Sequence, residues 1–522
     1  MNRTKLLSKL EETRRWDVII IGGGATGLGV AVDAATRGYS TLLLESHDFA
    51  KGTSSRSTKL VHGGVRYLEQ GDIPLVLEAL RERGLLHRNA PHLVHHLSFI
   101  VPRYQWWEGP FFGIGLKVYD ALAGKLNLAP SRLLSREETI RQIPNIESDH
   151  LLGGVEYFDG QFDDSRLAIT LARTAVHHGA CVLNYTRVEG LIKGNGLVSG
   201  VRFTDTETGR THTAEGAVVI NATGIFSDHI RLMDDEKATR AVQPSQGVHL
   251  VFDRSFLQGD SAIMVPHTDD GRVLFVIPWH GKVLVGTTDT PMQTPELEPR
   301  AMKDEIGFIL RNAARYLARD PKESDILSIF AGQRPLVRPP GKNGGATKAI
   351  SRNHEVLVSD SGLVTIVGGK WTTYRKMAED TLDKAAVLAG LEDRACVTEK
   401  LQLLGWRSPN AEVRADWLAV YGSEAEDILA LIAQDSTLGD WIHPKLPYPA
   451  ATVVWAARHE QARTLEDVLS RRTRALLLDA QAAIESAPTV AALLAKELGR
   501  DDEWAKSQVE EFTALAKGYL AS

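Results

Sequence analysis

The chain has 522 residues, 43% of them hydrophobic and 24% charged, with a formal net charge of −6. That balance belongs to a folded protein large enough for two or three domains, and it gives no general affinity for nucleic acid. Cys181 and Cys396 stand in unrelated contexts, which excludes a disulfide framework or a cysteine-based metal site and fits a reducing compartment.

The first residues, MNRTKLLSKLEETRRWD, are basic and lack the apolar core of a signal peptide. No stretch reaches the roughly 20 apolar residues of a spanning helix. Leu6, Leu7 and Leu10 share one helical face beside Lys5, Lys9, Arg14 and Arg15. That pattern fits a helix lying on lipid, or equally a plain surface helix ahead of the first strand.

Residues 18–45 organise the rest. A buried strand over 18–21 runs into Gly22-x-Gly24-x-x-Gly27, a helix follows over about 25–36, and Gly38 stops it. A second apolar strand, 41–44, ends at Glu45. Strand, tight turn, helix, strand and acidic residue together form the dinucleotide fingerprint. Gly22 permits the turn, Gly24 lets backbone approach a pyrophosphate, and Gly27 lets helix and strand pack closely. The pyrophosphate charge sits at the helix N-terminus, where N–H groups lack partners. Glu45 accepts from both ribose hydroxyls, and its charge opposes a 2′-phosphate.

Residues 50–71 are dense in short donors: Thr53, Ser54, Ser55, Ser57 and Thr58, followed by Lys59, His62, Arg66 and Tyr67. Gly63–Gly64 breaks any helix. The segment follows strand two at the carboxyl edge of the sheet, so it is expected to contact an anion. A helix over 75–86 carries Arg81, Glu82 and Arg83 on its polar side. In 99–124, Trp106, Trp107, Phe111, Phe112 and Ile114 form a cluster broken by Gly109 and Pro110. It reads as a core hairpin and helix, with a lipid-touching surface as the alternative. His92, His95 and His96 lack acidic partners at ligand spacing, and no metal site is expected.

A strand over 153–162 leads to a helix begun by Asp163, Asp164 and Arg166. After a strand at 181–184 and a meander through 190–215, a strand at 218–220 ends in Asn221-Ala222-Thr223-Gly224, where backbone approaches a cofactor a second time. Residues 242–289 change to strand periodicity, with Gly281 in a hairpin turn, and indicate a second, antiparallel domain. Residues 298–317 are helical, 329–338 place Arg334 and Arg338 after an apolar strand, and 339–347 form an exposed loop. Two strands in 354–369 close on Gly368–Gly369, which feeds a helix opened by Lys370, Trp371, Thr372 and Thr373, a third place for anionic cofactor atoms. From about 393 the texture is helical without strong strands. Arg471, Arg472 and Arg474 read as a solvated basic face.

The segments IIIGGGATGLGVAVDAATRG, TSSRSTKLVHGGVRYLE, RVLFVIPW, VGTTD, GQRPLVRP and VGGKWTTYRKMAED resemble the FAD-dependent, aerobic sn-glycerol-3-phosphate dehydrogenases, a family of glycine/D-amino-acid oxidase-like flavoproteins. The likeness spans about residues 19–380 and continues more loosely through Thr464, Asp467, Arg471, Arg472 and Thr473. It implies an α/β fold with a Rossmann-like FAD-binding domain (17–90, 150–240 and 348–390), an antiparallel-sheet substrate domain (91–149 and 241–347), an N-terminal extension (1–16) and a helical C-terminal domain (393–522). It also implies oxidation of glycerol 3-phosphate to dihydroxyacetone phosphate, electrons passed to a quinone, peripheral attachment at the cytoplasmic face of the cell membrane, and a homodimer.

The FAD contacts it implies are Gly22, Gly24, Gly27, Glu45, Thr53, Ser54, Ser57, Lys59, His62, Gly63, Gly64, Ala222, Gly224, Gly369, Lys370, Thr372 and Thr373. Arg66, Tyr67, Arg334 and Lys370 stand at the substrate positions, with Arg334 and Lys370 also in the reacting set. Arginine suits a phosphate because its rigid fork pairs two oxygens. A base for the C2 hydroxyl favours histidine, with His62 first and His249 second. An oxidase of the same substrate, an amine oxidase of the same fold, and a non-enzymatic FAD-binding protein are the alternatives. A quinone analogue, oxygen, and glycine or sarcosine as test reactants separate them.

Overall fold

The structure, a computed structural model, describes residues 1–64, 72–124, 129–338, 353–409, 411 and 415–521. Arg66, Tyr67 and the expected loop at 339–347 lie outside the described residues.

The 18–45 unit forms as its sequence requires. Trp16–Ile21 is a strand buried along its apolar positions, Ala25–Thr36 is a helix, and Thr41–Leu44 pairs in parallel with the first strand. Gly22 has φ +111°, and a Cβ on Gly27 would stand 2.0 Å from the Gly22 carbonyl oxygen, so close packing at this turn requires glycine. Among the described residues this sheet runs His354–Val358, Val364–Gly368, Thr211–Asn221, Trp16–Ile21, Thr41–Leu44, Cys181–Leu183. Its outer pair is antiparallel and the others are parallel. Two helices lie against this sheet and against each other: Tyr374–Leu388 packs on Ala25–Thr36, where Gly29 leaves room for Tyr374.

The second sheet is larger and mostly antiparallel. Val242–Asp253 pairs with Lys282–Gly286 on one side and along its length with Ile326–Val337 on the other. Leu274–Trp279 and Ala262–Val265 continue it to Val94–Arg103 and Gly153–Phe162. The strand Gly153–Phe162, expected beside the nucleotide fold, thus lies in this sheet. Its two faces have different neighbours, as strand alternation dictates. Ile100, Val248, Leu250, Ile263 and Val276 pack toward Lys303–Ala314. Phe99, Tyr157, Met264 and Phe330 share a core with helices of the C-terminal region.

Three expectations about charge and exposure fail. Glu82 and Arg83 are buried in the helix Ile73–Asn89, because Arg375 donates to Glu82 at 2.7 Å and Arg83 to Asp159 at 2.7 Å. Arg471, Arg472 and Arg474 are buried too, the first two in the π-helical turn Asp467–Arg472, each facing a carboxylate. Apart from Phe112, the aromatic cluster is not core. Trp106 is 78% exposed and Ile114 68%, and Trp107, Phe111 and Val118 are exposed beside them, whereas Phe112, Leu116 and Tyr119 on the same helix, Glu108–Ala123, are buried. Glu108 starts that helix by accepting from the N–H groups of Tyr104 (2.8 Å) and Gln105 (2.9 Å), which pins the turn carrying both tryptophans. The helical C-terminal region also contains one short hairpin, Trp441–His443 with Leu446–Pro449. No helix among the described residues is long and apolar enough to cross a membrane.

Candidate active site

One cavity of about 690 Å³ runs between the two sheets. Its first end is built by the glycine turn. Gly22, Gly24, Ala25, Glu45, Ser46 and His47 form the wall, joined by Thr186, Arg187 and Val188 from the neighbouring hairpin and by Ala222 and Gly224. The Glu45 carboxylate accepts from the N–H groups of Gly23 (2.6 Å) and His47 (2.8 Å), which fixes it at the end of its strand with lone pairs to spare for a diol. Burial raises its pKa, against the pull of those two N–H donors. Burial also lowers the His47 imidazole to about 4, with Lys51 and Arg187 acting the same way, so His47 faces the cavity neutral.

In the middle, Ser54 Oγ accepts from the Ala25 N–H at 3.0 Å, and a Cβ on Gly24 would stand 3.2 Å from that oxygen. A helix N-terminus, a glycine and a hydroxyl therefore surround one space of the size and polarity that suits a pyrophosphate. Thr53 and Ser57 line the same stretch. Trp371 closes it from the opposite side, its Nε1 donating to the Ser54 carbonyl at 2.8 Å, with Gly369, Lys370 and Thr372 beside it on the wall. The main chain of His62 donates to Thr372 Oγ1 at 3.3 Å, joining two motif segments 310 residues apart. His62 and Gly64 are on the wall.

The far end lies on the large sheet. Arg334 projects from Ile326–Val337 and donates to Thr287 Oγ1 and the Thr288 carbonyl, both at 3.2 Å, with Asp289 at 3.5 Å. Gly247 lies beneath: a Cβ there would be 2.5 Å from the guanidinium. Gly286 plays the same part for His249, whose ring stacks on Phe330 at 4.9 Å. His249 Nε2 and the Thr58 hydroxyl are 2.9 Å apart. Burial, then Lys59 and Arg334, hold His249 well below the ordinary histidine pKa, so it is neutral. Beyond it the wall becomes apolar, with Phe99, Tyr157, Met264 and Phe275.

Four of the expected cofactor residues are not on the wall. Gly27 packs behind the turn. Lys59 is fully buried, with its ammonium held by both Asp164 oxygens (2.8 and 2.7 Å) and the Ser55 carbonyl (2.7 Å). Thr373 turns its hydroxyl back to the Lys370 carbonyl at 3.3 Å. The Gly63 N–H is taken by Tyr119 at 2.8 Å. Thr58 and Trp371, named in the sequence but not among the expected FAD contacts, are on the wall, as are His47, Arg187, Thr287 and Thr288, which were not singled out. Thr287 and Thr288 belong to VGTTD and Trp371 to GGKWTTY, so the motif segments contained them. His47 and Arg187 carry no sequence signal: Arg187 reaches the cavity from the strand Thr186–Gly194, and His47 from the turn after Thr41–Leu44. Among the described residues no group of His, Cys, Asp or Glu side chains could hold a metal ion.

Residues 17–375 match the family described as FAD dependent oxidoreductase, and residues 363–505 match the C-terminal domain of alpha-glycerophosphate oxidase. The mitochondrial glycerol-3-phosphate dehydrogenase of Rattus norvegicus is 40% identical, over 99% of this chain and 75% of its own. That of Schizosaccharomyces pombe is 39% identical, over 96% and 87%. The X-ray structure of the glycerol-3-phosphate dehydrogenase from Bacillus halodurans complexed with FAD superposes with a TM-score of 0.81 at 30% identity, covering 99% of this chain and 97% of that one. Glycine oxidase from Geobacillus kaustophilus (TM-score 0.54, 19% identity, 75% and 99% covered) shares the fold alone.

Proposed function

Because the chain belongs to the FAD-dependent glycerol-3-phosphate dehydrogenase family, we propose that it oxidises sn-glycerol 3-phosphate to dihydroxyacetone phosphate and passes the electrons to a membrane quinone. The observation that carries this reading is the convergence of Arg334, Lys370, His62 and His249, from four separate segments, on one cavity that also contains the dinucleotide cradle.

FAD, when bound, supplies the hydride acceptor. Arg334 grips the substrate phosphate, its fork aimed by the Thr287 hydroxyl and the Thr288 carbonyl, and Lys370 adds a second positive charge. Arg66 and Tyr67, outside the described residues, complete the clamp on the strength of the motif. His62 takes the C2 hydroxyl proton. His249 is the weaker candidate, because its Nε2 is already engaged by Thr58 and its Nδ1 is buried without a partner among the described residues. It instead orients Thr58 at the wall. Purified protein is expected to turn over glycerol 3-phosphate with a soluble quinone analogue and barely with oxygen. Efficient turnover with oxygen would reassign it as an oxidase.

The membrane contact is peripheral, at the cytoplasmic face of the cell membrane, through the helix Glu108–Ala123. Trp106, Trp107, Phe111, Ile114 and Val118 form an exposed apolar strip, with Lys117 and Arg132 exposed nearby. A fully exposed side chain of this kind gains roughly 1.5–3 kcal/mol on burial, and each of these gains the share of that which its exposed part represents. Flotation with vesicles of anionic lipid tests this, and protein that stays at the bottom at low salt rules it out. The family also implies a homodimer, which sedimentation would measure.

A further inference from the structure

The helix Glu108–Ala123 has an inner stripe as well as an outer one. Phe112, Leu116 and Tyr119 follow helical spacing and are buried. Tyr119 ends the stripe. Its hydroxyl donates to Asp159 Oδ2 at 2.8 Å and accepts from the Gly63 N–H at 2.8 Å. Asp159 lines the cavity and is held from its other oxygen by Arg83 at 2.7 Å. Burial, then the charge of Asp159, keep the phenol protonated, so the direction of its donation is fixed. The approach depends on residue 63 being glycine: a Cβ there would lie 2.4 Å from the Tyr119 oxygen. Gly63 stands between His62 and Gly64, both on the cavity wall.

We propose that Tyr119 is a positioning residue: from a helix whose outer face meets lipid, its hydroxyl fixes the turn that presents His62, so seating the helix on a bilayer raises turnover. The coupling to lipid rests on the membrane reading above, whereas the positioning of the turn does not. Helices at interfaces shift by about 1–2 Å, enough to take a hydrogen bond out of range. The outer stripe anchored in lipid restrains such a shift, and the inner stripe carries that restraint to the turn.

Tyr119→Phe keeps the ring and removes only the hydroxyl. The test is anaerobic bleaching of bound flavin by glycerol 3-phosphate, which reads only folded holoenzyme. It is run with and without vesicles of phosphatidylcholine and phosphatidylglycerol. The variant is expected to keep its flavin and to float like the parent. Its bleaching rate at saturating substrate should fall about tenfold or more, the loss of one buried hydrogen bond, with little change in half-saturation. Vesicles should accelerate the parent and leave the variant unchanged. A variant that bleaches at the parental rate overturns the positioning role. One that is slowed yet still accelerated by vesicles overturns the coupling. A parent that does not float overturns the membrane reading and the coupling with it, and the rate without vesicles then decides on Tyr119 alone.

Discussion

Arg472 and Asp48 stand 424 residues apart and form a two-pronged ion pair at 2.7 and 2.9 Å, with neither side chain exposed. Arg471 joins the same carboxylate at 2.5 Å, and Lys51 reaches Glu466 at 2.5 Å. The C-terminal helices therefore hold the segment 45–53 that walls the dinucleotide cradle. Arg472→Ala strands part of a buried carboxylate and is expected to cost about 3 kcal/mol, at the low end of the 3–5 kcal/mol typical for a broken buried pair because Arg471 remains. Thermal melting and flavin retention after gel filtration both check it. The prediction fails if the variant melts with the parent and stays yellow.

The same interface sets the acid limit. Burial opposes the charged form of Glu460, but Arg166, Arg173 and Arg472 outweigh it and bring its pKa to about 2 from 4.5. Burial likewise opposes Glu466, and Arg471 and Lys51 bring it to about 2. Both folded pKa values lie below the unfolded ones. Their stabilisation is complete above about pH 4.5 and is lost as pH falls toward 2. Unfolding followed from pH 6 downward should show a midpoint in urea that is steady to about pH 5 and then drops. A midpoint that rises on acidification contradicts the assignment.

Flavin binding is expected to be non-covalent and to fail in Gly24→Val. The added side chain projects into the space between the helix N-terminus and Ser54. Gly27→Ala should be worse for folding itself, since its Cβ meets the Gly22 carbonyl oxygen at 2.0 Å. Absorbance of the purified variants gives the answer. Full yellow colour in Gly24→Val, or flavin that stays on the chain after denaturation of the parent, would refute it.

Arg334→Ala should raise KM for glycerol 3-phosphate by tens-fold or more, roughly 2–5 kcal/mol of binding, without altering the flavin spectrum. An equal loss on plain glycerol would show that the arginine does not serve the phosphate.

The first strand, the glycine turn and the helix after it were readable because each rests on local chemistry: apolar runs, glycines at required spacing, one acidic residue. The antiparallel sheet was readable from period-two alternation. Gly153–Phe162 was misplaced because strand pairing is non-local, and its partner Val94–Arg103 has no turn in common with it. Arg83, Arg471 and Arg472 were read as solvated because charge in a sequence carries no mark of its partner. Asp159 and Asp48, which bury them, are far away in the chain. Trp106 and Phe111 misled in the opposite direction, since composition alone does not separate core from a lipid-facing surface. Lys59 looked like an anion contact and is spent on Asp164.

The most direct measurement is the flavin spectrum of the purified protein under anaerobic conditions as sn-glycerol 3-phosphate is added. Glycerol 3-phosphate is expected to bleach the flavin, whereas glycerol, glycine and sarcosine are not, and a quinone analogue is expected to restore the colour. A flavin that stays oxidised with glycerol 3-phosphate, or that glycine bleaches instead, would contradict the proposed function.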